Sequence, residues 1–211
     1  ADVSLNLARG SFTALLGRSG CGKTTLLRLL AGLEYPSSGT IETGVASERV
    51  GYVFQEPRLM PWLTVQENIC FAKKGRARTA FGDVWKIMQT LGLSEFAKAM
   101  PSELSGGMAQ RAALGRTLFC DPDLILMDEP FGALDWFTRR GLQEDMLRLW
   151  SEGDKTILLV THDIDEALLT AENVVSLREG RVVDSFEIPL SHPRQASDLL
   201  VFRERALSAI L

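Results

Sequence analysis

The sequence predicts an α/β fold with a parallel central sheet, an N-terminal β portion and an inserted helical lobe. Three observations predict it. Phe12-Thr13-Ala14-Leu15-Leu16 and Asp123-Leu124-Ile125-Leu126-Met127-Asp128 are continuous apolar runs, the pattern of strands buried on both faces of a parallel sheet. A glycine-rich loop and a mostly apolar helix follow the first run, and a second helical pattern follows the other. Between them lies a middle third whose apolar residues recur at 3–4 spacing instead. The expected division is a core of residues 1–55 and 121–211, with a helical lobe at 56–120.

Composition bounds what the chain can be. Its 211 residues suit one large domain, or one domain with an inserted lobe. With 45% hydrophobic and 24% charged residues, a soluble globule with a real core is expected. A net charge of −4 and a pI near 5.3 supply no basic field, so no nucleic-acid partner is expected. The apolar runs at Leu26–Leu33 and Leu124–Met127 are too short to span a bilayer, and no signal-peptide pattern is visible. Cys21, Cys70 and Cys120 have neither metal-ligand nor disulfide-framework spacing, which suits a reducing cytoplasm.

The elements follow in order. Residues 1–10 alternate Val3, Leu5 and Leu7 and predict a strand with one exposed face. After Phe12–Leu16, a helix is expected over Thr24–Ala31, stopping near Gly32. Pro36-Ser37-Ser38-Gly39 predicts a turn, with a short strand at Thr40-Ile41-Glu42. Arg49–Phe54 is β-rich, and Pro57 and Pro61 prevent its continuation. Thr64–Ile69 starts like a capped helix, and Asp83–Leu91 carries Val84, Ile87, Met88 and Leu91 at helical spacing. Gly92 ends that helix, Pro101-Ser102-Glu103 breaks the chain, and Ser105-Gly106-Gly107 opens another helix running to Phe119. A helix over Trp136–Trp150, a strand at Thr156–Thr161, a helix at Ile164–Thr170 and a strand at Asn173–Leu177 complete the core pattern. Glu179-Gly180 reads as a hairpin turn into Arg181–Phe186, and Pro193–Leu211 as an amphipathic helix.

Chemistry concentrates in three places. Gly17-Arg18-Ser19-Gly20-Cys21-Gly22-Lys23-Thr24-Thr25 fits the phosphate-loop pattern G-x-x-x-x-G-K-[ST]. Glycines let the backbone curl so that several N–H groups point at an anion, and the following helix adds its positive end. Lys23 would reach the β- and γ-phosphates and the Thr24 hydroxyl would bind Mg²⁺, so ATP-binding is expected of Gly17, Ser19, Gly20, Cys21, Gly22, Lys23, Thr24 and Thr25. Asp128-Glu129 ends an apolar strand; Asp128 would hold the metal, and Glu129 would take a proton from the attacking water. Leu104-Ser105-Gly106-Gly107-Met108-Ala109-Gln110-Arg111 is a helix start with a capping hydroxyl and two glycines, a second candidate anion site.

With these motifs in this order, nearly the whole chain resembles the ATP-binding subunit of an ABC transporter, whose signature motif is LSGGQ-like. The resemblance implies a P-loop NTPase (RecA-like) core and an ATPase whose two ATP molecules lie sandwiched in a head-to-tail homodimer. It implies that Ser105, Gly106 and Gly107 serve the nucleotide held by the partner. Gln55 looks like the Q-loop glutamine, which touches the metal and the attacking water, and Ala133-Leu134-Asp135 like the D-loop, which crosses to the partner. Asp135 also reads simply as a helix N-cap. His162, at the end of a buried strand, looks like the switch histidine; His192, before Pro193, reads as loop. The family's adenine-stacking aromatic lies upstream of its first strands, a position expected before Ala1, so no stacking residue is assigned.

Phe54-Gln55-Glu56-Pro57-Arg58-Leu59-Met60-Pro61-Trp62-Leu63-Thr64-Val65, Asp128–Asp135 and Thr161–Ala167 resemble importers for nitrate, aliphatic sulfonates and taurine, and thiamine-precursor systems. The expectation is a peripheral subunit on the cytoplasmic face of the inner membrane, working with transmembrane permease subunits and a solute-binding protein. A soluble ABC-type ATPase without a membrane partner is the alternative. Leu59, Met60 and Trp62 are too apolar for an ordinary solvated loop. They read either as core beneath the helical lobe or as a permease contact, with Met60 and Trp62 in the groove and Arg58 at its rim.

Overall fold

A computed structural model of the chain describes residues 3–71, 84–132 and 134–210. The central sheet has six strands: β1 (Phe12–Leu16), β2 (Val50–Val53), β3 (Leu124–Asp128), β4 (Thr156–Thr161), β5 (Asn173–Arg178) and β6 (Arg181–Glu187). Their spatial order is β2-β3-β4-β1-β5-β6. All neighbours are parallel except β5 and β6, which form an antiparallel hairpin. Glu179 and Gly180 turn that hairpin, both at positive φ (50° and 71°), as its tight turn requires.

The helices are α1 (Lys23–Leu30), α2 (Val65–Cys70), α3 (Val84–Thr90), α4 (Gly106–Phe119), α5 (Trp136–Ser151), α6 (Ile164–Thr170) and α7 (Leu200–Ile210). Local chemistry sets their starts. Thr64 and Glu67 form a reciprocal capping box on α2. Ser105, Asp135 and Asp163 cap α4, α5 and α6 with side-chain oxygens.

The continuous apolar strands are explained by burial on both faces. Phe12, Ala14 and Leu16 of β1 join Ile125, Met127, Ile157 and Leu159 in one cluster, which extends into α2, α3 and α4. Leu15, Leu124, Leu126, Leu158 and Val160 pack on the opposite face with Leu27 of α1. α4 lies close on β2, where a Cβ at Gly51 would come within 2.6 Å of Thr117 Cγ2. Within the helical region, Gly115 lets α4 approach Leu91 and Ile69; a Cβ there would stand 3.1 and 3.2 Å from their methyls.

Two expected strands do not form. Residues 3–8 and 40–43 have no ladder partners. Val3, Leu5 and Leu7 are half-buried against the α1-side cluster while Ser4 and Asn6 are exposed, so the alternation is real without a ladder. The two segments line a groove of about 620 Å³ instead of pairing in a ladder. The C-terminal helix also begins later than expected: Pro193–Gln195 is irregular and Ala196–Leu199 is a 3-10 turn. The cause is Arg194, whose buried guanidinium donates to Leu168 O (2.8 Å), Ala171 O (2.6 Å) and Ile188 O (3.2 Å). It satisfies carbonyls at the end of α6 and fixes its own backbone outside a helix. Asp83, Leu211 and Ala133, included in expected elements, lie outside the described residues.

Register places the site. Leu16 pairs with Thr161, Asp128 with Val160, and Val53 with Met127. The chain therefore leaves β1, β2, β3 and β4 at one edge of the sheet, the edge at which open α/β sheets bind ligands.

Candidate nucleotide site

The phosphate loop bridges β1 and α1. Gly17 has no room for a side chain, because a Cβ would strike Leu177 O and come within 2.7 Å of Cys21 Sγ. Gly20 and Gly22 take φ of 81° and 105°, which only glycine adopts readily. Ser19, Gly20 and Thr25 are exposed, while Cys21 is half-buried with its N–H tied to Arg18 O at 3.3 Å. Lys23 is buried, and its ammonium donates back to Gly17 O (2.7 Å) and Arg18 O (3.1 Å). Its third neighbour is Glu129 Oε1, at 3.8 Å.

Both oxygens of Asp128 are occupied. The Thr24 hydroxyl donates to Oδ1 at 2.9 Å, and the Tyr52 hydroxyl to Oδ2 at 3.1 Å. Burial first, and then the charge of Asp128, push the Tyr52 hydroxyl above its ordinary pKa, so it stays a donor. Glu129 continues the ladder through its N–H to Val160 O (2.9 Å), then turns at φ 45°. This aims its carboxylate at His162, whose Nδ1 lies 3.0 Å from Oε2. Lys23, Thr24, Asp128, Glu129 and His162 thus come together from three chain segments. Gln55 stands exposed two residues past β2, level with Glu129 by the β2–β3 register, and makes none of the bonds joining the others.

Ser105, Gly106, Gly107 and Asp135 form a separate group at the starts of α4 and α5. The Ser105 hydroxyl accepts Met108 N–H (3.3 Å), and the Asp135 carboxylate accepts Thr138 N–H (3.1 Å). Hydrogen bonds from Thr138 hold the Asp135 carboxyl below the usual carboxylate range. Gly106 is exposed with open space around it, but Gly107 is buried, and a Cβ there would run into Thr138 Cγ2. One glycine of the pair is therefore required by the contact between α4 and α5, a reason absent from the motif reading. Among the described residues, none of this group bonds to Lys23, Asp128, Glu129 or His162, so within one chain the two groups stay apart.

Sequence reasoning missed several residues at this edge. Tyr52 could have been inferred only from the pairing of β2 with β3. Glu166 is buried in the first turn of α6, where burial pushes its carboxyl up to about 7, opposed by a hydrogen bond from Thr161. Arg139 reaches Asp163, next to His162, at 3.4 Å. The signal for Asp163 was present as a capping pattern, Asp163-Ile164-Asp165-Glu166, in which Glu166 N–H donates to Asp163 Oδ1 at 3.1 Å.

The loop after Gln55 is pinned in detail. Arg116 donates to Pro57 O (2.9 Å) and Arg58 O (2.8 Å), and the Arg58 guanidinium lies 4.4 Å above the Phe54 ring. Asn68 binds the N–H and the carbonyl of Met60 at 2.7 and 3.1 Å. Leu59 packs against the core, Met60 is half-buried, and Trp62 is 68% exposed. The two readings of this segment divide between its residues. Leu59 goes inward and Trp62 outward.

Comparisons with known proteins show the family and the fold. The family described as "ABC transporter" matches residues 1–132. The chain is 45% identical to the aliphatic sulfonates import ATP-binding protein SsuB 2 of Pseudomonas syringae pv. tomato, over 97% of this chain and 88% of that protein. It is 48% identical to the corresponding SsuB protein of Granulibacter bethesdensis, over 94% and 81% of the two chains. Among solved structures, the dimeric post-hydrolysis state of the ATP-binding cassette MJ0796 bound to ADP and Pi is 30% identical, with a TM-score of 0.76 over 90% of each chain. The cbiO1 protein of Clostridium perfringens, part of the ABC transporter complex cbiONQ, is 27% identical, with a TM-score of 0.79 over 96% of this chain and 83% of that one. The chain belongs to the ABC transporter family and carries that family's ATP-binding machinery.

Proposed function

We propose that two copies of this chain, joined head to tail, hydrolyse ATP and thereby drive a membrane importer of a small solute. The observation that carries this reading is Glu129, held between Lys23 at 3.8 Å and His162 at 3.0 Å, facing the phosphate loop. The N–H groups of the phosphate loop and the start of α1 take the phosphate oxygens, and Lys23 exchanges its two carbonyl contacts for them. Glu129 accepts the proton of the attacking water, while His162 orients the γ-phosphate and Gln55 the water. Thr24 and Asp128, in mutual contact, are hard oxygen donors that fit Mg²⁺, with Gln55 as the third metal-side residue. That ion supplies charge neutralisation at the phosphates when bound.

The separation of the two groups within one chain supports a composite site. Ser105, Gly106 and the first turn of α4 offer free backbone donors to a nucleotide held by the second copy, with Asp135 beside them. Residues 56–120 act as the lobe that carries this face. Trp62, with Met60 behind it and Arg58 at the rim, forms the contact with the permease. No helix among the described residues is long and apolar enough to cross a membrane, and the subunit works at the cytoplasmic face of the inner membrane against permease subunits and a solute-binding protein. The sulfonate importers among its relatives make a small organic sulfonate the first solute to test. Phosphate release from ATP, measured with the purified chain alone and after reconstitution with its permease, tests the reading. Turnover that rises on reconstitution supports it, and ATP binding without phosphate release refutes it.

A further inference from the structure

We infer that Arg139 is a positioning residue, clamping the loop before α5 to the loop before α6 so that His162 is held against Glu129. The inference rests on the hydrolysis reading above and goes beyond it by naming what fixes the switch histidine. Arg139 lies in the first turn of α5, its N–H bound to Asp135 O at 2.9 Å. Its guanidinium donates to Leu134 O at 3.1 Å and to Asp163 Oδ2 at 3.4 Å. Asp163 is fixed from two more sides: its N–H donates to Thr161 Oγ1 (3.0 Å) and its Oδ1 accepts Glu166 N–H (3.1 Å). His162 is exposed, and among the described residues its side chain's one hydrogen bond is to Glu129, so its place depends on Thr161 and Asp163 either side.

Helix stability does not account for this arginine. A cation in the first turn opposes the helix dipole. Among the described residues, its Nε has no hydrogen-bond partner. The same α5 turn carries Thr138, which packs on Gly107 at the start of α4. Arg139 therefore links the face proposed to meet the second copy with the loop that carries His162.

The test is a double-mutant cycle on ATP turnover with Arg139→Gln and Asp163→Asn, the latter chosen because Asn still caps α6. Each single variant is expected to lower kcat about 10- to 100-fold while leaving KM for ATP within about 2-fold, the signature of misplaced groups rather than lost binding. The double variant is expected to be no slower than the slower single one, and Arg139→Lys to recover part of the rate. If Arg139→Gln does not fold, Asp163→Asn carries the kinetic test with Arg139→Lys as its partner. Amide hydrogen exchange over residues 162–166, measured without nucleotide, is expected to rise in Arg139→Gln, and this readout needs no turnover. Multiplicative losses in the double variant, unchanged kcat in the singles, or unchanged exchange would overturn the inference. Absence of turnover in the parent chain would instead refute the hydrolysis reading, leaving the exchange experiment to decide on the clamp.

Discussion

His162 Nδ1 lies 3.0 Å from Glu129 Oε2, although the two residues end different strands. The parallel pairing of β3 with β4, Asp128 opposite Val160, brings the two strand ends level. A regular continuation of β3 would aim the Glu129 side chain elsewhere. Its φ of 45° supplies the turn, at a strain of roughly 1–3 kcal/mol that the surrounding bonds must hold. The other carboxylate oxygen faces Lys23 at 3.8 Å. The strain thus sits at the group assigned the proton transfer.

Lys23 is the charge at the base of the loop. Lys23→Ala removes the ammonium proposed to donate to the phosphates, a charge-assisted interaction of about 1.5–3 kcal/mol. ATP affinity is expected to fall about 10- to 100-fold in a calorimetric titration, and ATP-dependent association to disappear. An unchanged Kd would contradict the assignment.

Ser105→Arg places a bulky cation at the start of α4, on the face proposed to cover the partner's nucleotide. ATP binding to the single chain is expected to change by less than about 3-fold, since among the described residues Ser105 bonds only within its own helix. Turnover is expected to be lost. Mixed with Lys23→Ala protein, at most one competent site per dimer can return. Loss of ATP binding by Ser105→Arg alone would rule out the head-to-tail arrangement.

Glu166 makes stability depend on pH. Its folded pKa of about 7 lies above the ordinary 4.5, mainly through burial. The folded state therefore holds a proton that the unfolded state releases. The stability so contributed is complete below about pH 4.5 and is lost as pH rises through about 7. Thr161 and Arg139 moderate the shift, and Asp163 and Glu129 add to it. Glu166→Gln removes the titration, so denaturant unfolding should show the variant gaining about 3 kcal/mol on the parent between pH 4.5 and pH 8. Parallel stability curves would show that Glu166 does not titrate in this range.

Trp62 is 68% exposed beside the pinned Arg58 loop. Trp62→Glu is expected to leave the melting temperature and basal turnover of the isolated chain unchanged, because no core contact is lost. Recovery of the permease in a co-purification should fall at least about 10-fold, as for an aromatic anchor at an interface centre. Normal recovery would place the contact elsewhere.

The legible features were those whose cause is local. Phe12–Leu16 and Leu124–Asp128 announce burial on both faces, and the loop from Gly17 to Thr24 announces its glycines and its lysine. Alternation at Val3, Leu5 and Leu7 reported exposure correctly but could not report a ladder, which needs a partner strand. The late start of α7 depends on Arg194 reaching Leu168 and Ala171, more than twenty residues away in the chain. Tyr52 on Asp128, Arg139 on Asp163 and Thr138 under Gly107 are likewise contacts between elements, set by register and packing. The motif reading named the groups proposed to face the phosphates. The residues that hold those groups in place became visible only in the fold.

The central claim, that Glu129 completes a site shared by two copies, is tested most directly by the mass of the Glu129→Gln variant in solution. Light scattering after size-exclusion chromatography, with ATP and Mg²⁺ present, is predicted to show twice the chain mass with ATP and a single chain with ADP. Phosphate release by the same protein should fall about 10²- to 10⁴-fold, the usual contribution of a positioned general base. A variant that binds ATP, stays monomeric at saturation and turns over at the parent rate would contradict the account.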